Sequence, residues 1–364
     1  MIDYFVPNGT FLLTCAIWHT IVIHMANTHG QHYLLSAEAR SLSLMQIMRL
    51  SDDQAFEMFK EARWGKGPVA CPCCGGVEHY CLKNRSQWRC KHKECGKQFS
   101  ITSGTIFHSA KMPLRVYLAA IALYSNCAKG MSTLQMSRGL DVQYKTAFVL
   151  MHKMRESMVD VHTEKLSGTI EIDAAYVNKH VRPANKVEQR VDRRKAENQN
   201  PKKRAVVVIR QRSASGKGAD KTRVFLTKSE GQKTTLKLAL DNIELGSTIH
   251  ADEHHAYDVL HGALPMQRVV HAEHYRGPQG QCTNQAESFF SRFRRMQYGQ
   301  NHKFDNNYVD RYANEAAYRE DTRRQSNGAI FKDILGRCAM HLPSRDFCGY
   351  WQGNHRTGEA LVAG

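Results

Sequence analysis

The chain has 364 residues, 42% of them hydrophobic, and a formal net charge of +17. That length leaves room for two or three domains with a sizeable core, and the composition excludes an intrinsically disordered chain. So large a cationic surplus points to a polyanionic partner, with nucleic acid ahead of an acidic membrane surface or ribosomal packing.

Six of the 11 cysteines fall between Cys71 and Cys95. This clustering reads as a metal site in a reducing compartment, not as a disulfide framework. Near the start, Phe11-Leu-Leu-Thr-Cys-Ala-Ile-Trp-His-Thr-Ile-Val-Ile23 is apolar. It is too short for a membrane span, carries His19, and lacks the basic region and small-residue cleavage site of a signal peptide. We expect residues 1–44 to be an N-terminal extension, with the natural start at Met45 or Met25, and no membrane attachment.

Ser51 followed by Gln54 forms a capping-box signature, and Ala55, Phe56, Met58, Phe59 and Ala62 give the following helix one apolar face. Cys71-Pro-Cys-Cys-Gly-Gly76 and Trp88-Arg-Cys-Lys-His-Lys-Glu-Cys95 come next. Cys71, Cys74, Cys90 and Cys95 are the expected ligands of a structural Zn²⁺, because four thiolates on two turns hold zinc tetrahedrally in a unit too small for its own core. The second gap is wider than usual, so Cys73, Cys81 and His92 stand as spare ligands. Helix and ribbon together are assigned to residues 45–106.

Residues 107–165 read as helical. Pro113 starts a helix over 113–126 with an apolar stripe from Leu114 to Leu123. Two short helices then flank Gly139-Leu-Asp-Val142, over 132–138 and 143–155, with the rhythm of a helix-turn-helix. Gln143, Tyr144, Lys145 and Thr146 start the second helix, where side chains reach base edges. The plain alternative is a two-helix connector.

From Gly168 the period changes to that of strands. The expected order over 166–320 is a strand at 169–177, a hairpin from 205–210 and 222–227 turning at 216–218, and a helix at 234–242. A strand at 247–251, a short helix at 253–261, a strand at 268–271 and a helix at 284–298 follow. This is a mixed α/β order of the ribonuclease H-like type. A basic insert at 179–204 holds ten Lys/Arg against three Asp/Glu. It reads as a solvated loop or as a DNA-backbone clamp through Arg193, Arg194, Lys202 and Lys203. Residues 321–364 read as a C-terminal tail.

Three acids stand out in this half. Asp173 lies in a strand, Asp252 at a strand end, and Glu287 on a helix. Hard anionic oxygens on such elements can hold two Mg²⁺ or Mn²⁺ ions for phosphodiester chemistry. Each acid has a rival reading: Glu171 as the ligand in place of Asp173, Asp252 as a helix N-cap, and Asn284-x-x-Glu287 as a capping box. Asn284, His271 and His302 are candidate supporting groups.

These residues resemble insertion-sequence transposases of the DDE type with an N-terminal zinc ribbon. The resemblance rests on Phe59-Lys-Glu-Ala-Arg-Trp64, the cysteine pairs, Lys97-Gln-Phe-Ser-Ile-Thr-Ser-Gly-Thr105, the helix-turn-helix and Glu171-Ile-Asp173. It continues through Asp252-Glu-His-His-Ala-Tyr257, Thr283-Asn-Gln-Ala-Glu-Ser-Phe289, Tyr298-Gly299 with His302, and Gly349-Tyr-Trp-Gln352. The family implies a bacterial enzyme that binds the terminal inverted repeats of its element and moves it, with Asp173, Asp252 and Glu287 at the acid positions. Its partner is double-stranded DNA, at both element ends and target. A homo-oligomer in the DNA complex and a cytoplasmic, nucleoid-associated location follow from the same resemblance. Ala174 and Cys282 depart from the family pattern, which often has an acid and a His there. The rival from another class is a DNA-binding zinc-ribbon regulator, or a domesticated transposase without catalysis.

Overall fold

In a computed structural model, residues 33–82, 86–159, 164–215, 218–270, 276–277 and 280–362 are described. The expectations placed on residues 1–32, on His271 and on the turn at 216–217 lie outside them.

After a 3₁₀ turn at Tyr33–Leu35 come two helices, α1 (Leu44–Met48) and α2 (Asp52–Trp64). Each starts with a complete capping box, Ser43 with Gln46 and Ser51 with Gln54, so local side chains satisfy the orphan amides of the first turn. A three-stranded antiparallel sheet follows, β1 (His79–Leu82), β2 (Gln87–Cys90) and β3 (Gln98–Ser100). Trp88 of β2 stacks on Phe99 and meets Phe56 and Trp64 of α2, which fixes the ribbon to the helix.

Three helices come next: α3 (Leu114–Asn126), α4 (Thr133–Leu140) and α5 (Tyr144–Ser157). Asp141 ends α4 in a left-handed conformation, and the chain turns directly into α5. One apolar core joins α2, the ribbon and α3–α5.

The large sheet has the order β6-β5-β4-β7-β8, built from β4 (Thr169–Val177), β5 (Arg204–Arg212), β6 (Ala219–Thr227), β7 (Thr248–Asp252) and β8 (Met266–Val269). β6, β5 and β4 pair antiparallel; β4, β7 and β8 pair parallel. This is the ribonuclease H-like arrangement. The expected strand at 268–271 starts two residues earlier, at Met266, because its pairing with β7 begins there. Helix α6 (Gln232–Asn242) and a 3₁₀ turn (His255–Gly262) cover one face, packing on Ile170 and Ile172. Helices α7 (Asn284–Met296) and α8 (Val309–Asp321) cover the other, packing on Ala175 and Val177. The two-residue alternation of β4 thus sends Glu171 and Asp173 to the α7 side.

The segment read as a tail carries α9 (Asn327–Met340). Its Phe331, Ile334, Leu335 and Cys338 recur at helical spacing and are buried in the core of α2–α5. The last described residues lie along the outer strand, where Leu361 bridges Leu226. At the other end, the Asn327 side chain bonds both backbone groups of Leu42.

Candidate active site and zinc site

The zinc site is built by two turns. In the first, the Gly75 amide donates to the Cys71 carbonyl at 2.8 Å, with Gly75 in the left-handed region. In the second, the amides of Cys95 and Gly96 both donate to the His92 carbonyl. That turn absorbs the wide gap and brings Cys95 round to the first pair. Cys71 Sγ lies 3.7 Å from Cys95 Sγ, and Cys74 Sγ lies 3.6 Å from Cys90 Sγ. All four ligand atoms fall within 4.8 Å of one another, and no other His, Cys, Asp or Glu group among the described residues does so. Cys73, Cys81 and His92 are exposed and outside the cluster. Burial pushes the Cys71 thiol up, but the amides of Cys74 and Cys73 and the neighbouring thiols bring it down to about 7. A soft, closely spaced tetrathiol set fits Zn²⁺.

In the large sheet, the parallel pairing of β4 with β7 runs from Thr169↔Thr248 to Glu171↔His250. Asp173 and Asp252 stand two residues beyond that last pair, level with each other where the two strands part. The C-terminal ends of parallel strands are where such sheets open to ligands. The Asp173 carboxyl is pushed up to about 7, first by burial, then by Asp252, Glu230 and Glu287, against the Ala174 amide. Four acids, Asp173, Asp252, Glu230 and Glu287, therefore gather at one place.

Asp252 is not the helix cap. Its Oδ1 accepts from the His254 amide at 3.0 Å, and His254 itself caps the 3₁₀ turn by accepting from Ala256. Nor does Asn284 form a capping box with Glu287, since Asn284 is already helical and Thr283 is the N-cap, with no side-chain cap bond. The cap comes from another strand. Glu171 Oε2 accepts from the amides of Gln285 at 2.7 Å and Ala286 at 3.0 Å. Glu171 is fully buried, and Arg212 pairs with its other oxygen at 3.4 Å. Behind it, buried Arg210 donates to the Gln285 carbonyl and to Thr222. Glu171 thus holds the helix start and is not free to serve as the ligand in place of Asp173. Glu287, in the same first turn, is exposed toward solvent and lies within reach of the Thr283 hydroxyl.

These two sites sit on distinct matched segments. Residues 165–321 match the ISXO2-like transposase domain, and residues 50–98 match the transposase zinc-ribbon domain. The chain belongs to the insertion-sequence transposases with an N-terminal zinc ribbon. This transposase is also 24% identical over 233 residues to the uncharacterized protein in transposable element ISH50 of Halobacterium salinarum, covering 62% of this chain and 76% of the relative.

Glu230 is the acid that sequence reasoning missed in the transposase. It precedes α6, and its Oε1 lies 3.6 Å from His254 Nδ1. Burial, with Asp252, holds its carboxyl above the usual carboxylate range, against Tyr257 and His254. The signal was present: an acid between a strand end and a helix start. The helix begins at Gln232, two residues before the expected 234, which brings Glu230 next to its start.

At the start of α5, Gln143, Tyr144 and Lys145 are exposed and Thr146 is half-buried. Lys145 Nζ lies 4.5 Å from the Trp351 ring and 5.2 Å from that of Tyr350, so the Gly349-Tyr-Trp-Gln352 motif docks beside this helix. In the basic insert Arg193, Arg194 and Lys202 are exposed, while Lys203 Nζ sits 3.9 Å over the Tyr176 ring. His302 is exposed, with a left-handed backbone, just after a π turn that extends α7. No helix among the described residues is long and apolar enough to cross a membrane.

Proposed function

We propose that this transposase binds the terminal inverted repeats of its own element and cuts and joins DNA at Asp173, Asp252 and Glu287. The observation that carries this reading is the level placement of Asp173, midway along β4, and Asp252, at the end of β7, where the two strands part, with Glu287 acting on the same place. The donor set is hard oxygen, and its mutual repulsion suits a pair of Mg²⁺ or Mn²⁺ ions held by these three residues. When bound, such ions supply positive charge beside the attacking and leaving oxygens of an in-line displacement.

The chain's own part is positioning. Strand residues Asp173 and Asp252 give fixed oxygens, and Glu171 locks α7 so that Glu287 faces them. Asn284 and His302 are candidate supporting groups near the two ends of α7. Water attacks a phosphodiester at the element end and frees a 3′-OH, which then attacks target DNA. Gln143, Tyr144, Lys145 and Thr146 read base edges in this scheme, and Arg193, Arg194, Lys202 and Lys203 hold the backbone. The chain acts as a homo-oligomer that brings two ends together.

The second reading, a regulator or domesticated protein that only binds DNA, leaves the converging acids without a use. Replacing Asp252→Asn separates the two. Divalent-dependent cleavage of inverted-repeat DNA disappears while end binding remains; a variant that still cleaves refutes the assignment.

A further inference from the structure

One strongly charged surface has no role in this scheme. Between α7 and the C-terminal half of α8 lies an open cleft of about 940 Å³. Arg292 and Arg295 of α7, Arg319 of α8, Arg323 just past its end, and Lys129 line it. Of the carboxylates here, Glu320 in the wall is shared by Arg292, Arg323 and the buried Arg210, and buried Glu315 holds Arg319. Arg295 and Lys129 are exposed and have no carboxylate partner among the described residues. Burial, with Arg292 and Arg324 beside it, lowers the Arg323 guanidinium below the usual arginine range, although Glu320 opposes this. Cations held this close, with too few acids between them, call for an anionic ligand.

The layout favours a polymer over a small phosphate. Glu287 lies in the first turn of α7, and Arg292 and Arg295 follow five and eight residues on. At 1.5 Å per residue they stand roughly 8 and 12 Å further along the axis. At about 100° per residue they also sit roughly 140° and 80° round the axis from Glu287, so a phosphodiester chain at the acids reaches the cleft by passing round the same helix. The walls are helix flanks carrying guanidinium forks, which grip successive phosphates, and not the fan of backbone amides that cradles a lone one.

We propose that this cleft grips the phosphate backbone of duplex DNA adjoining the acid site. The inference rests on the transposase reading above. Its test is fluorescence anisotropy with full-length, zinc-loaded protein, on an element-end duplex and an unrelated duplex over a range of salt. The double variant Arg295→Ala with Lys129→Ala binds both duplexes more weakly by the same factor, and its salt slope falls by about 2, one for each lost phosphate contact. A control with the same charge loss, Lys237→Ala with Lys332→Ala, keeps the wild-type slope. Unchanged affinity and slope in the cleft variant overturn the proposal, as does weakening confined to the element end. If wild-type protein binds neither duplex, the transposase reading falls with it. A second measurement needs no variant: duplex DNA shields Lys129 from acetylation, read by mass spectrometry, and equal modification with and without DNA overturns the cleft.

Discussion

Glu171 and Gln285 join strand to helix: the carboxylate of the first, on β4, accepts the amide of the second at the start of α7 at 2.7 Å. The acid two residues before Asp173 thereby sets the position of the helix that carries Glu287. Glu171→Gln keeps the shape but removes the negative charge at the positive end of the helix. We expect a stability loss of about 1–2 kcal/mol. Strand cleavage falls by roughly one to two orders of magnitude, because a displacement near 1 Å is enough to do so. End binding is unchanged. Single-turnover cleavage beside thermal melting checks this, and wild-type cleavage by a destabilised Glu171→Gln protein contradicts it.

Asp173 makes stability depend on pH. Its folded-state value, about 7, lies above the ordinary 3.8. The folded chain thus holds this proton more tightly than the unfolded chain does. Its contribution is intact below about pH 4, declines as pH rises, and is fully lost above about pH 7. Asp321 is pushed up to about 7 as well, first by burial, and loses stability over the same window. The comparison of wild type with Asp173→Asn cancels that shared part. In the absence of divalent ions, the variant melts at a higher temperature than wild type at pH 8, and the gap closes toward pH 4. Parallel melting curves across that range count against the placement of Asp173.

The helix-turn-helix is bolted to the sheet domain by a buried ion pair. Arg155 of α5 donates to Glu315 of α8 at 2.7 Å, both side chains are almost wholly buried, and Arg319 holds the other oxygen at 2.9 Å. Glu315→Gln leaves two buried guanidiniums short of a counter-charge and costs about 3–5 kcal/mol. Arg155→Met combined with Glu315→Leu costs less than Glu315→Gln alone, since no charge is stranded. Urea unfolding of the three proteins measures the order, and the reverse order excludes a fully desolvated pair.

Zinc holds the ribbon. Cys95→Ala lowers bound zinc and frees Trp88 from Phe56, Trp64 and Phe99, so tryptophan fluorescence shifts to the red. Cys73→Ala and His92→Ala each retain the full zinc content, because both side chains are exposed and outside the cluster. Metal analysis of the purified variants decides the ligand set.

Much of this protein was legible in one dimension. Cysteine spacing pointed to two knuckles, the capping box at Ser51 marked a helix start, and the alternation in 169–177 put Glu171 and Asp173 on one face. These are local signals, since each depends on residues a few positions apart. What partners each acid has is a long-range matter. Glu171 meets amides more than a hundred residues away, and Glu230 joins the opening only once β6 and α6 have packed.

By itself, then, the sequence determined the basic character, the tetrathiol site, the order of strands and helices and the resemblance that the matched domains bear out. Tertiary structure decided which buried carboxylate caps α7, that residues 327–340 close the first core, and that arginines from two helices crowd one cleft. Such pairings form only when the apolar faces are buried. Burial is also what removes the water that would otherwise satisfy these charges, so it selects the partner each one must have.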